Sequence, residues 1–175
     1  AAARRDPPLV IGDGTHTVRE LVIIVNSDPR RSDGHATPLT KIRSDDITRD
    51  PRYGRNGPYF GMPPGHQALI EFFGGTLANI APVHGKSVPI EHDGRGIFTG
   101  LEQGCHIARY HSWAGVQIPT EFEVSARSSD GVVMAIRHKR LPIEGIQFHP
   151  ESVLSMKNNV GMRMLRNVVE GRIAS

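Results

Sequence analysis

Downstream of Gly57, apolar residues fall in short blocks at strand-like and helix-like spacings, which predicts an α/β domain. Pro58 to Gly61 predicts a short strand. Gln67 to Phe73 predicts a helix with Leu69, Ile70 and Phe73 on one face and Gly74-Gly75 as its stop. Thr76 to Ile80, Lys86 to Ile90, His106 to Tyr110, Phe122 to Ala126, Val132 to Ile136 and Ile143 to Phe148 read as further strands. Asp93-Gly94 and Asp130-Gly131 mark turns, the second a hairpin signal. A last helix is predicted from Asn159 to Glu170, where Val160, Met164, Leu165, Val168 and Val169 form one apolar stripe ended by Gly171.

Upstream the texture differs. From Ala1 to Asn56 the chain is rich in Arg, Asp, Pro and Gly, and its strong apolar run is Leu21 to Val25, a buried-strand candidate. Pro29, Pro38 and Pro51 interrupt the remainder. Ala1 to Pro8 carries charge with no apolar stretch behind it, which is not the pattern of a signal peptide.

Composition narrows the function classes. The chain has 175 residues, 38% hydrophobic and 22% charged, a size and balance suited to one globular domain. Its net charge of +3 is spread without a basic stripe or interleaved aromatics, which argues against nucleic-acid binding. No apolar run reaches membrane-spanning length. The lone cysteine, Cys105, permits no intrachain disulfide, so a cytoplasmic setting is the default expectation. The histidines lack metal-ligand spacing, and Gly12-Asp13-Gly14 has Thr17 where a dinucleotide loop needs its third glycine. No metal or cofactor is expected.

The chemistry sits in two separated runs, Tyr59-Phe60-Gly61-Met62-Pro63-Pro64-Gly65-His66-Gln67 and Gln147-Phe148-His149-Pro150-Glu151-Ser152. Between them, in order, lie Phe73-Gly74-Gly75, Val83-His84-Gly85-Lys86 and Ala108-Arg109-Tyr110-His111-Ser112. This ordered set resembles the class-I glutamine amidotransferases. Its His-Gly-Lys and Arg-Tyr-His-Ser blocks point to the glutaminase subunits of anthranilate synthase or aminodeoxychorismate synthase. The resemblance implies an open, mostly parallel α/β sheet with flanking helices. It implies a single domain over 1–175, in which 57–175 match and 1–56 match poorly, as an irregular or truncated first part. It also implies a heteromer with a chorismate-binding synthase subunit that receives ammonia from glutamine.

By the same resemblance, His149 and Glu151 are the catalytic base and its carboxylate. Gln67, His111 and Ser112 belong to the glutamine-binding site. His84 and Lys86 match a region that faces the partner, with a solvated hairpin an equal alternative. The nucleophilic cysteine of the family falls at Pro63, so that position is vacant: proline has no thiol. Pro64 removes a second part, the backbone N–H that the residue after the nucleophile contributes to the oxyanion hole. The other oxyanion loop, glycine-rich in the family, is matched only by Asn26 to Arg31, which has no glycine. Arg43 to Thr48 resembles a block the family carries before that loop, not after it. Cys105 lacks any elbow signature and reads as a small buried hydrophobe.

Two functions remain open. One is a glutamine-hydrolysing subunit of a chorismate-using synthase, anthranilate synthase or its aminodeoxychorismate counterpart, impaired at its nucleophile. The other is a non-catalytic pseudo-amidotransferase that docks on the synthase. A first part altered relative to a working ancestor is an equally open account of the departures.

Overall fold

The computed structural model describes residues 10–11, 16–17, 22–24, 59–63 and 65–173. Asn26 to Arg31, Arg43 to Thr48, the Gly12-Asp13-Gly14 turn and Pro64 lie outside the described residues. Strands β1 (Val10–Ile11) and β2 (His16–Thr17) form a small antiparallel pair. Among the described residues, a seven-stranded sheet contains β3 (Val22–Ile24), β4 (Tyr59–Gly61), β5 (Thr76–His92), β6 (Cys105–Gln117), β7 (Phe122–Ser128), β8 (Val133–His138) and β9 (Ile143–Ile146). Their order across the sheet is β3-β4-β9-β8-β7-β5-β6. Helix α1 spans Gly65–Phe72 and helix α2 spans Val160–Val169.

The sheet is mixed. Its parallel part is β3-β4-β9, the portion that carries the strand-to-helix turn. The other described pairs, β9/β8, β8/β7, β7/β5 and β5/β6, are antiparallel, so the mostly parallel sheet of the sequence reading is confined to one end. Connection length explains the change: a tight turn such as Asp130-Gly131, with Gly131 at φ +81°, can join only antiparallel neighbours.

The central strands are buried on both faces. All six residues of β8 and all four of β9 are buried. On β9, Ile143 joins the cluster of Leu69 and Ile70 from α1, whereas Ile146 joins that of Met164 and Val168 from α2. Odd and even positions of a strand face opposite ways, so the two helices cover opposite faces. Both helices end in the same glycine device. Gly74 and Gly171 take positive φ, and the amides of Gly75 and Arg172 reach back to the carbonyls of Ile70 and Asn167 at 2.8 and 2.9 Å.

The strands expected at Thr76 to Ile80 and Lys86 to Ile90 are one strand, β5. Pro82 and Gly85 fall where the β5/β6 register shifts, between Asn79 and Val83 and between His84 and Lys86. The missing amide of Pro82 therefore coincides with an interrupted ladder, and Gly85, at φ +65°, supplies a bulge.

Helix α2 starts after two left-handed residues, Asn158 and Asn159, a conformation asparagine tolerates. At Gly161 the helix packs so closely on the loop after β9 that a Cβ there would lie 1.9 Å from the Pro150 carbonyl oxygen. Alanine is the better helix former by about 1 kcal/mol, but a backbone clash costs about 1–3 kcal/mol or more. Gly161→Ala is therefore expected to lower the thermal unfolding midpoint, and an unchanged or raised midpoint would contradict this packing.

Candidate functional site

The candidate site is built from two chain reversals at one edge of the sheet. Strand β4 leads through Met62 and Pro63 into α1, and the amide of His66 donates to the Met62 carbonyl at 3.3 Å. This reversal needs Gly61, whose Cβ would lie 2.9 Å from the Gly65 carbonyl carbon. Strand β9 lies parallel beside β4, with Gly61 opposite Gly145. Both strands end at the same edge, so Pro63 and the Gln147-to-Glu151 segment follow adjacent strand ends. Crevices at the carboxyl ends of parallel strands are where open α/β sheets place ligands. Pro63 itself is half-buried in the turn. Its ring fixes φ near −65° and offers no nucleophilic atom.

Past β9 the chain continues to His149, which bridges to Ala108 of β6, its amide donating to the Ala108 carbonyl at 3.3 Å. The reversal at Pro150 brings Glu151 back, and His149 Nδ1 donates to Glu151 Oε1 at 2.7 Å. Burial opposes ionisation of Glu151, but the hydrogen bond from His149 prevails and holds its carboxyl below the usual range. An ionised carboxylate only accepts, so in neutral His149 the proton sits on Nδ1 and Nε2 keeps its lone pair, the form a general base needs. The Tyr110 ring meets the His149 ring edge-on at 5.5 Å between centroids, and the Tyr110 hydroxyl lies 3.3 Å from Ser152 Oγ.

The first turn of α1 faces inward. Gln67 Nε2 donates to Gln147 Oε1 at 3.2 Å and approaches the Trp113 carbonyl at 3.5 Å. That carbonyl also accepts from His111 Nδ1 at 3.0 Å, and His111 Nε2 accepts from Arg109 Nε at 3.2 Å. Arg109, nearly fully buried, pairs with Asp130 at 2.8 Å. The structure thus links Gln67 and His111 through one carbonyl and joins His149 to Glu151. Tyr110, which meets the His149 ring, and His111 are neighbours in β6 and point to opposite faces of that strand, while His149 stays near enough for its charge to act on the His111 ring. Ser112 is half-buried beside them. Both ring nitrogens of His111 are engaged by the protein.

Gln147, Arg109 and Trp113 received no individual role in the sequence reading. Arg109 alternates with His111 and Trp113, a period-2 pattern that marks one face. Gln147 sits inside the second motif, but its partner is 80 residues away.

Cys105 is the single thiol of the chain. It is buried at the start of β6 within the core, and burial pushes its thiol up to about 11, away from the thiolate. Among the described residues, no group of three His, Cys, Asp or Glu side chains gathers as metal ligands. No helix among them is long and apolar enough to cross a membrane.

Burial pushes the His66 and His111 rings down to about 4, with the Arg109 charge adding to the effect at His111. Below the ordinary value of 6.5 the unfolded chain binds protons that these two folded rings refuse. The contribution of these two rings is therefore lost as pH falls from about 6.5 to about 4 and levels off below that. Glu144, raised to about 7 by burial, contributes the opposite slope, and His138, lowered by burial, adds to that of His66 and His111. Urea midpoints measured from pH 7 to pH 4 are expected to fall, and His111→Gln is expected to flatten the decline. A midpoint independent of pH would refute this.

Residues 32–170 match the family Glutamine amidotransferase class-I, a match that begins upstream of the change in texture near Gly57. The chain is 48% identical over 115 residues to anthranilate synthase component 2 of Thermococcus kodakarensis, covering 65% of this chain and 60% of that protein. It is 45% identical over 116 residues to aminodeoxychorismate/anthranilate synthase component 2 of Bacillus subtilis, covering 65% of this chain and 58% of that one. The chain thus spans about three fifths of the length of these relatives. Among solved structures, a Thermoplasma acidophilum protein described as a subunit of GMP synthase is similar with a TM-score of 0.61 and 26% identity, covering 66% of this chain and 57% of that chain.

Proposed function

The chain belongs to the class-I glutamine amidotransferases, and from that premise we propose that it is a glutaminase-type subunit of the anthranilate synthase kind that does not turn over glutamine. The observation that carries the reading is a strand-to-helix turn that carries Pro63, with Pro64 next in the sequence, at the sheet edge where His149 and Glu151 meet at 2.7 Å. Half of an amide-hydrolysing apparatus is present and half is missing.

The chemistry follows step by step. Hydrolysis of a carboxamide by this family begins with thiolate attack on the carbonyl carbon. Pro63 supplies no electron pair for that bond. The oxyanion that would form needs preorganised N–H donors, and Pro64 has none. His149, held by Glu151, keeps the form that takes up a nucleophile's proton and returns it to departing ammonia, but Pro63 has no such proton to give. Gln67, His111 and Ser112 form the proposed glutamine cradle, with His111 contributing through its main chain because its ring is engaged.

The partner is a chorismate-using synthase subunit, because the relatives are named as second components of such enzymes. The Bacillus subtilis relative carries both names, so aminodeoxychorismate synthase is the alternative partner. A cytoplasmic setting follows from the biosynthetic relatives and the single buried thiol. Reconstitution with a synthase subunit tests the proposal. The expected result is a stable complex that forms product from chorismate with ammonium but not with glutamine. Glutamine-dependent product, or no complex, would contradict it.

A further inference from the structure

The segment after the second motif holds a buried hydroxyl that the sequence reading did not single out. Ser155 is fully buried in the short 3-10 turn Val153–Ser155. Its Oγ donates to the His149 carbonyl at 2.6 Å and accepts from the Ala108 amide at 2.8 Å. Its own amide donates to the Ser152 carbonyl at 2.8 Å, which closes the loop His149 to Ser155 on itself. His149 and Ala108 also form an isolated bridge. One hydroxyl thus stands where the next rung of a sheet ladder would be, after the chain turns away at Pro150. It satisfies a donor on β6 and an acceptor on His149 at once, and a buried amide and carbonyl are costly to leave unpaired.

We propose that Ser155 is the positioning residue for His149: its hydroxyl clamps the His149 main chain to β6 and thereby sets the imidazole in reach of Glu151. The assignment rests on the reading of His149 and Glu151 as the retained base pair, but it concerns geometry and is independent of whether glutamine is bound or hydrolysed. Only a small side chain with one donor and one acceptor fits the role, which restricts the position to serine or threonine. Tyr110 limits the ring from its other side through its edge-on contact.

NMR of histidine-labelled protein tests the clamp directly. In the wild type, the Ser155 hydroxyl proton is expected to exchange slowly and to show a cross-peak to the Ala108 amide. Ser155→Ala is expected to move the His149 ring nitrogen shifts and lose the downfield Nδ1 proton of the bond to Glu151, while the His138 resonances stay in place. Ser155→Thr is expected to keep the wild-type His149 signals, and it decides the matter together with the hydroxyl cross-peak if the alanine variant does not fold. Unmoved His149 signals in a folded Ser155→Ala protein, or loss of the His149–Glu151 signature in a folded Ser155→Thr protein, would overturn the proposal. A glutamine titration of the wild type, read separately, reports on the cradle, so failure of the functional reading and failure of the clamp give different results.

Discussion

Replacing Pro63 with cysteine leaves glutamate release at background. The substitution restores a thiol at the end of the β4 turn, next to the strand whose continuation holds His149 and Glu151. It leaves Pro64, and that proline acts in two ways. It provides no amide to the oxyanion, and one such donor is worth about 10²–10³ in rate, on the order of 3 kcal/mol. It also confines residue 63 to extended backbone, because the proline ring clashes with the preceding residue in other regions. An elbow nucleophile requires a strained turn conformation, so the introduced thiol would be presented wrongly as well as unsupported. The paired change Pro63→Cys with Pro64→Ala is expected to exceed the single variant by at least about 100-fold in glutamate release, the value of the returned donor. Turnover by the single variant above background would show that the second proline does not matter.

Arg137→Ala is expected to cost about 3–5 kcal/mol of stability, the range for removing one partner of a buried ion pair. Arg137 lies in β8 with its guanidinium almost wholly buried. It reaches Asp93 at 2.5 Å, Glu123 at 3.2 Å, Glu144 at 3.0 Å and the Arg95 carbonyl at 2.9 Å. Glu144 has no exposure at all, and without the arginine its carboxylate would have no compensating charge. Gly96, at φ +56°, makes room for the cluster: a Cβ there would meet Glu144 Oε2 at 2.8 Å and Arg137 Nη2 at 2.9 Å. The deficit depends on pH with a definite sign. Burial already raises Glu144 to about 7, and loss of Arg137 raises it further. A group raised on folding stabilises fully below its unfolded value and loses that contribution as pH rises through its folded value. The deficit of Arg137→Ala is therefore smallest in mild acid and grows above about pH 7. Urea denaturation at two pH values reads both effects, and a loss under about 1 kcal/mol at neutral pH would contradict the assigned role.

Local pattern made parts of this fold legible and long-range contact made other parts illegible. The Asp130-Gly131 turn, the α2 stripe and the glycine stops at Gly74 and Gly171 follow from backbone preferences of the residues themselves. Thr76 to Ile80 and Lys86 to Ile90 were expected as two strands and form one, because residues such as Pro82 and Gly85 can sit at a bulge as well as end a strand, and only the partner strand decides between the two. The direction of the sheet was expected from the resemblance, yet its antiparallel share depends on short connections within 76–146. At the site, the pairing of His149 with Glu151 was readable because Pro150 alone separates them, so no distant segment has to fold for the two to meet. Ser155 with Ala108, and Gln67 with Gln147, lie 47 and 80 residues apart, and no periodicity announces such pairs.

Glutamate release from glutamine by the purified protein, measured with and without an anthranilate-type synthase subunit, tests the vacant nucleophile position most directly. Release is expected at the level of the protein-free control in both cases. Release that scales with this protein would contradict the inactive reading, because a nucleophile other than position 63 would then have to exist in the fold.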